Sequence, residues 1–114
     1  MTEVALLPID LEGEPVGVRA MEPGDRQFVL DHWLNSERKL TRLPPARFFP
    51  WRRPIAEHHV DHGGVIVACA PESPGTIYGW LCASAPGVIE YAYVIPVARG
   101  RGLFKALRRW LEEP

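Results

Sequence analysis

The apolar positions of the chain follow two spacings, and each spacing predicts a different kind of element. Alternating or β-branched apolar runs predict strands at residues 16–20, 65–70, 76–83 and 88–94. Apolar residues at three- and four-residue intervals predict amphipathic helices at residues 25–36 and 103–111. The chain also holds 12 prolines and ten glycines, so the elements should be short and the turns between them well defined.

Residues 37–53 follow neither spacing. They combine five arginines with three aromatic residues and three prolines. Because proline interrupts helical hydrogen bonding, we predict an ordered loop whose aromatic side chains cap the core. The alternative is a binding loop for a polyanion, since arginine and aromatic residues contact phosphates and stack on bases. In either case Pro54 opens a second helix over residues 55–62, which Gly63-Gly64 ends.

These elements predict a single domain over residues 1–114, of mixed α/β (α+β) class. Residues 65–70 and 76–83 are joined by a five-residue turn and should form an antiparallel hairpin. We therefore expect a mainly antiparallel sheet with flanking helices. Residues 1–14 are either a tail docked on the sheet or an edge strand at 4–7.

Composition narrows the class of protein. The hydrophobic share is 46%, as in globular proteins, and the formal net charge of -1 does not favour nucleic acid or an anionic membrane as partner. No apolar run is long enough to span a bilayer, and we expect no secretion signal. Cys69 and Cys82 each lie inside a predicted strand, which indicates buried thiols in a reducing cytoplasm.

A short basic turn follows the last predicted strand. Arg99-Gly100-Arg101-Gly102 precedes a helix with apolar residues on one face. The N-terminus of a helix binds anions, because its free N–H groups and its dipole both favour negative charge. The turn therefore predicts a phosphate-binding site. A solvated strand-turn-helix connection is the alternative.

Strand, Arg-Gly-x-Gly turn and helix together resemble the coenzyme A-binding motif of the GCN5-related N-acetyltransferases (GNAT). The family pattern is Gln or Arg, two residues, Gly, one residue, then Gly or Ala. Arg99 and Gly102 match it, whereas Phe104 stands where the family has a very small residue. The order of elements over residues 15–113 is also similar to that of the family. The amino-acid sequence most resembles small phage and prophage members.

The resemblance implies an acyl-coenzyme A-dependent N-acyltransferase that transfers an acetyl group from acetyl-coenzyme A to an unknown amine. It implies Glu90 as the base that deprotonates the amine, and a backbone N–H near Tyr93 or Val94 that polarises the thioester. It also implies a cofactor-binding set, namely Tyr93, Val94, Arg99, Gly100, Arg101, Gly102 and Leu103. If the Phe104 side chain fills the pyrophosphate position, this expectation fails.

Tyr91 and Tyr93 are possible proton donors. In a regular strand they point to the face opposite Glu90, and only a bulge at Ala92 would change that. His58 and His62 share a helix face at a metal-binding spacing, but without an evident third ligand we favour exposed polar residues over a metal site.

The family continues past this helix with a strand, a helix and closing strands, which this sequence does not contain. We therefore expect a C-terminally shortened GNAT fold whose open sheet edge is covered by a second copy or by another protein. The alternative function is a non-catalytic, phage- or prophage-derived protein of GNAT fold that acts by binding a protein.

Overall fold

Five strands form one antiparallel sheet, and their order in the sheet is their order in the chain. They are seen in a computed structural model that describes residues 3–112. The strands are β1 (Ala5–Leu11), β2 (Glu14–Ala20), β3 (Gly64–Ala70), β4 (Ser73–Ala85) and β5 (Val88–Val94). The predicted mixed class, an antiparallel sheet with flanking helices, is confirmed.

Three α-helices cover the two faces of the sheet. They are α1 (Arg26–Arg38), α2 (Pro45–His62) and α3 (Leu103–Glu112). The helices α1 and α2 pack on one face around Trp33 and Trp80, and α3 packs on the other face around Leu81 and Leu107. Successive residues of a strand point to opposite faces, so Val67 joins the first core and Ile66 the second. This explains why the central strands are apolar without alternation.

The prediction of a loop through residues 37–53 holds only for residues 39–44, because α1 extends to Arg38 and α2 begins at Pro45. Pro45 occupies the first turn, in which a missing N–H costs nothing. Pro50 and Pro54 lie inside the helix and remove the N–H partners of the carbonyls at Ala46 and Pro50. Ala46, Pro50 and Pro54 are all exposed, so water can bind the two freed carbonyls. The buried face of α2, which includes Phe48, holds the helix on the sheet.

Two further boundaries differ from the sequence prediction. Of the alternatives for the N-terminal stretch, the edge strand is observed, and it is longer than residues 4–7; residues 1 and 2 lie outside the described part. The turn between β3 and β4 is also shorter than five residues, because Ser73 already pairs with Ala70.

Arg19 is the one charged residue buried among residues 3–112, with 2% of its surface exposed. Its guanidinium donates to Asp25 at 2.6 Å and to the carbonyl of Pro74 at 2.8 Å. Burial alone would raise the pKa of Asp25, but the hydrogen bonds from Arg19 and from the backbone N–H of Glu22 hold that pKa below its ordinary value. The network ties β2 to the turn before α1 and to the start of β4.

No helix within residues 3–112 is long and apolar enough to cross a membrane.

Candidate functional site

In the described part of the chain, β5 forms an edge of the sheet. The N–H of Ile95 donates to the carbonyl of Tyr78 at 2.9 Å, in the same register as the pair Trp80 and Tyr93. Hydrogen-bonded and non-bonded pairs alternate in an antiparallel ladder. The backbone groups of Ala92 and Val94 therefore point away from β4, toward the open edge.

Two clefts run along this edge. The first measures about 680 Å³ and lies between α1 and β5. The second measures about 360 Å³ and lies between the end of β5 and the start of α3. Val94 and Arg99 line both clefts, so the two clefts adjoin at these residues along the edge.

The turn before α3 leaves a group of backbone donors free. Gly100 and Gly102 have φ angles of 77° and 81°, a left-handed conformation that favours glycine. The first helical hydrogen bond runs from Ala106 to the carbonyl of Gly102 at 3.0 Å. Among the described residues, the N–H groups of residues 100–105 have no hydrogen-bond acceptor. This geometry suits an anion at the second cleft.

The two arginines of the turn have different surroundings. Arg101 donates to Glu12 at 2.9 Å and is thereby directed toward the turn between β1 and β2. Arg99 donates from Nε to the carbonyl of Val94 at 2.8 Å, and its guanidinium lies 5.7 Å from the centre of the Tyr93 ring. Of the two, Arg99 is the one that lines the clefts.

Phe104 lies on the wall of the second cleft. Its side chain is 40% exposed, and its ring lies 6.0 Å from the guanidinium carbon of Arg108, one turn along α3. The open volume of the second cleft remains beside it. Leu103, the apolar residue that precedes Phe104 in the sequence, is buried in the core under α3.

Sequence reasoning missed the polar wall that α1 contributes to the first cleft. This wall consists of Asp31, His32, Asn35, Ser36 and Lys39. The signal was present, because Asp31, Asn35 and Lys39 recur every four residues and so share one helix face. This polar face of α1 lines a cleft only because α1 packs beside β5, and the periodicity of the sequence does not reveal that packing.

His32 is the titratable group of this wall that contacts β5. Its Nδ1 lies 2.9 Å from the carbonyl of Phe28, and its ring centre lies 4.9 Å from that of Tyr93. A carbonyl only accepts hydrogen bonds, so neutral His32 carries its proton on Nδ1. The lone pair of Nε2 then remains free to accept a proton.

Glu90 lies apart from the clefts and lines neither of them. The register steps from Cys82 opposite Tyr91 to Ala83 opposite Ile89, which leaves Glu90 as the extra residue of a bulge. Its carboxylate accepts a hydrogen bond from Ser84 at 2.6 Å and lies 3.7 Å from Nε2 of His59 in α2.

The bulge also changes the geometry expected for the tyrosines. It lies at Glu90 and not at Ala92, and it turns Glu90 toward α2. Tyr91 stacks on Trp33 at 5.3 Å, so it faces the same helical layer. The expectation of opposite faces therefore does not hold for Glu90 and Tyr91. Burial raises the pKa of the Tyr91 hydroxyl, which keeps it protonated as a possible donor.

Two other reactive groups have structural surroundings. Cys69 and Cys82 are free and buried, and burial raises the pKa of the Cys82 thiol to about 11, so it does not act as a thiolate nucleophile. His58 and His62 stack at 4.6 Å on the exposed side of α2. Within residues 3–112, no group of three or more His, Cys, Asp or Glu residues is placed to hold a metal ion.

The open edge therefore combines backbone donors for an anion, outward N–H groups for a carbonyl oxygen, and an imidazole with a free nitrogen. Comparison with protein-family models, with curated proteins and with solved structures finds no match. The resemblance to the GNAT family therefore rests on the residues of this chain.

Proposed function

We propose that the protein is an acyl-coenzyme A-dependent N-acyltransferase that acetylates an amine. The observation that carries the proposal is the pair of adjoining clefts along the open edge of β5, the second of which lies at the free N–H groups before α3. A long ligand with an anionic part and an extended arm matches these adjoining clefts. Acetyl-coenzyme A has that form and supplies an activated acetyl group.

The residues of the second cleft would hold the anionic part. The N–H groups of residues 100–105 supply donors, and Arg99 and Lys105 supply positive charge on the cleft wall. Gly100 and Gly102 have no Cβ, which leaves the backbone accessible. Arg101 contributes less, since Glu12 holds its guanidinium.

The residues of the first cleft would promote the transfer. The outward N–H of Val94 donates to the acyl carbonyl oxygen as negative charge develops on it. His32 accepts the proton of the attacking amine on Nε2. Tyr91 lines the same cleft and donates a proton to the leaving sulfur. We assign the base to His32 in place of Glu90, because Glu90 lies outside the clefts.

Calorimetric titration of acetyl-coenzyme A tests the binding step. We expect micromolar affinity for the unchanged protein and weaker affinity for Arg99→Met. Glu90→Gln serves as the matched control and should bind as the unchanged protein does. Phe104→Gly should bind more tightly, because it restores the family pattern. Absence of binding at millimolar ligand would refute the proposal.

The chemical step has its own test. With a panel of amines and a thiol-release assay, His32→Gln should lose turnover while keeping its affinity for acetyl-coenzyme A. Glu90→Gln should keep both. Loss of turnover in Glu90→Gln alone would return the base to Glu90.

A second candidate function is a non-catalytic protein of the same fold that binds another protein. The outward backbone groups of Ala92 and Val94 support it, since an extended segment can pair with an open edge. Light scattering in the titration buffer distinguishes a homodimer from a monomer that awaits another partner. In both cases we propose that the protein works in the cytoplasm.

A further inference from the structure

The junction of α1 and α2 concentrates the positive charge of the protein. We call residues 37–53 the basic corner. It holds five arginines, one lysine and one glutamate, a net charge of +5, whereas the whole chain carries -1. The other 97 residues therefore carry -6. So uneven a distribution creates a local positive field on a molecule that is nearly neutral.

Most of this charge has no structural use. Arg52 donates to Glu37 at 2.7 Å and thereby links α2 to α1. The four exposed cations of the basic corner form no ion pair with any residue from 3 to 112, and these are Arg38, Lys39, Arg42 and Arg47. Bringing four like charges together costs stability unless a partner neutralises them.

The basic corner also exposes large apolar side chains. Leu40 is 84% exposed, Trp51 57% and Leu43 40%. Leu40 and Trp51 line a groove of about 380 Å³, together with Phe48, Tyr91, Thr41 and the ion pair of Arg52 with Glu37. Arg47 precedes Trp51 by one helical turn and so lies beside it on the same face of α2. Apolar surface and unpaired charge therefore share one site.

We propose that the basic corner binds an acidic peptide segment of a partner protein, with one apolar side chain of that segment seated between Leu40 and Trp51. Carboxylates of the segment would pair with the free arginines around the groove. The groove takes a single side chain, and an aromatic or large aliphatic residue fits its lining.

The same observations favour a peptide over a nucleic acid. Bases stack on aromatic rings, yet Trp51 offers the one largely exposed ring of the basic corner, and its exposed neighbours are leucines. A longer polyanion would also extend past the 17 residues of the basic corner onto the rest of the chain, whose net charge is -6. This inference does not rest on acyl transfer.

Fluorescence anisotropy with a labelled synthetic peptide tests the proposal. The probe alternates glutamate and leucine and is titrated with the 114-residue chain at low salt. Three comparators are a peptide with serine for leucine, a peptide with glutamine for glutamate, and single-stranded oligothymidine. We expect the glutamate-leucine peptide to bind best, and its affinity to fall as salt is added. Equal or tighter binding of the serine peptide or of oligothymidine would overturn the proposal.

Charge reversal then locates the site. Arg42→Glu/Arg47→Glu should lower the affinity for the peptide by about tenfold or more. Both free cations are lost, and repulsion replaces their attraction. Arg108→Glu/Arg109→Glu makes the same charge change on the exposed face of α3 and should have little effect. An equal loss in both variants would show that net charge alone attracts the peptide, which contradicts the proposal.

A second pair of variants tests the groove. Trp51→Ala should weaken the peptide several-fold, whereas Trp110→Ala removes another exposed tryptophan, far along the sequence on α3, and should not. All these positions are exposed, so the variants should fold. Circular dichroism and the unfolding midpoint check this, and Arg42→Gln/Arg47→Gln replaces the reversal if it does not fold. Unchanged binding in Trp51→Ala would refute the groove as the site that binds the apolar side chain of the peptide.

Discussion

Arg19 lies within strand β2 and Arg99 follows strand β5 of the same sheet, and their surroundings differ in nearly every respect. Arg19 is buried and uses its guanidinium to join three segments of the chain. Arg99 is exposed, makes one backbone hydrogen bond through Nε, and lies against an aromatic ring on the wall of two clefts. The donors of Arg19 serve the fold, whereas most donors of Arg99 remain available to a ligand.

The difference shows how to separate structural from functional charge in this protein. A buried guanidinium must find all its partners within the chain, because an unpaired one would cost several kcal/mol. An exposed guanidinium is solvated and can exchange water for a ligand. The Arg19 region should therefore respond to mutation through stability, and the Arg99 region through binding.

The largest expected effect is the loss of the Arg19 network. Arg19→Met should lower the free energy of unfolding by about 3–5 kcal/mol, because it leaves the Asp25 carboxylate and the Pro74 carbonyl without their donor. Urea unfolding followed by circular dichroism measures the change. Arg108→Met, at an exposed site on α3, is the control and should stay within about 0.5 kcal/mol of the unchanged protein. Similar values for both variants would contradict a structural role for Arg19.

The glycine turn should show a smaller cost in stability together with a loss of binding. Gly102→Ala forces a side chain into a left-handed conformation and should destabilise by about 1–2 kcal/mol, although open space surrounds the new Cβ. Acetyl-coenzyme A should also bind more weakly. Gly75→Ala is the matched control, since it too meets open space but has no positive φ. If both glycine variants lose the same stability and affinity, the positive φ angle of Gly102 is not the reason that the turn requires glycine.

Acid should reduce the stability that the Arg19 network contributes through the Asp25 carboxylate. The folded-state pKa of Asp25 lies below its unfolded value, so its contribution to stability is present above the unfolded pKa, near pH 4, and is lost as the pH falls further. Urea midpoints measured from pH 7 to pH 3 should therefore fall more steeply for the unchanged protein than for Arg19→Met. Parallel curves would mean that Arg19 does not set the ionisation of Asp25.

The smallest effect on stability is expected at Arg99. Arg99→Met removes one exposed hydrogen bond and should change the free energy of unfolding by less than about 1 kcal/mol. Its affinity for acetyl-coenzyme A should fall in the same preparation. A large loss of stability with unchanged affinity would reverse the assignment of roles to the two arginines.

Much of the fold was predictable because its cause is local. The apolar run in β4 and the helical spacing of Leu103 and Leu107 each reflect a burial pattern that the sequence carries directly. The helix α2 was not predictable in this way. Its two internal prolines argue against a helix, and only the packing of Phe48 and Val60 on the sheet outweighs them.

The candidate site was predictable only in part. The glycine turn is a local signal, and the structure places its free N–H groups at a cleft. The opposite wall, which contains His32, depends on how α1 lies against β5. Glu90 illustrates a further limit, because a bulge of one residue reverses the direction of a side chain and has no clear sequence signature.

The strand order has a consequence for how the molecule acquires its fold. Every pair of neighbouring strands is also consecutive in the chain, so no strand has to be inserted between two others. Most pairs close short hairpins, and one pair, β2 with β3, must close the long segment that holds α1 and α2. Low sequence separation between contacts favours rapid folding. Closure of that one segment should therefore limit the folding rate, and the hairpins β1–β2 and β3–β4–β5 can form as separate units before it.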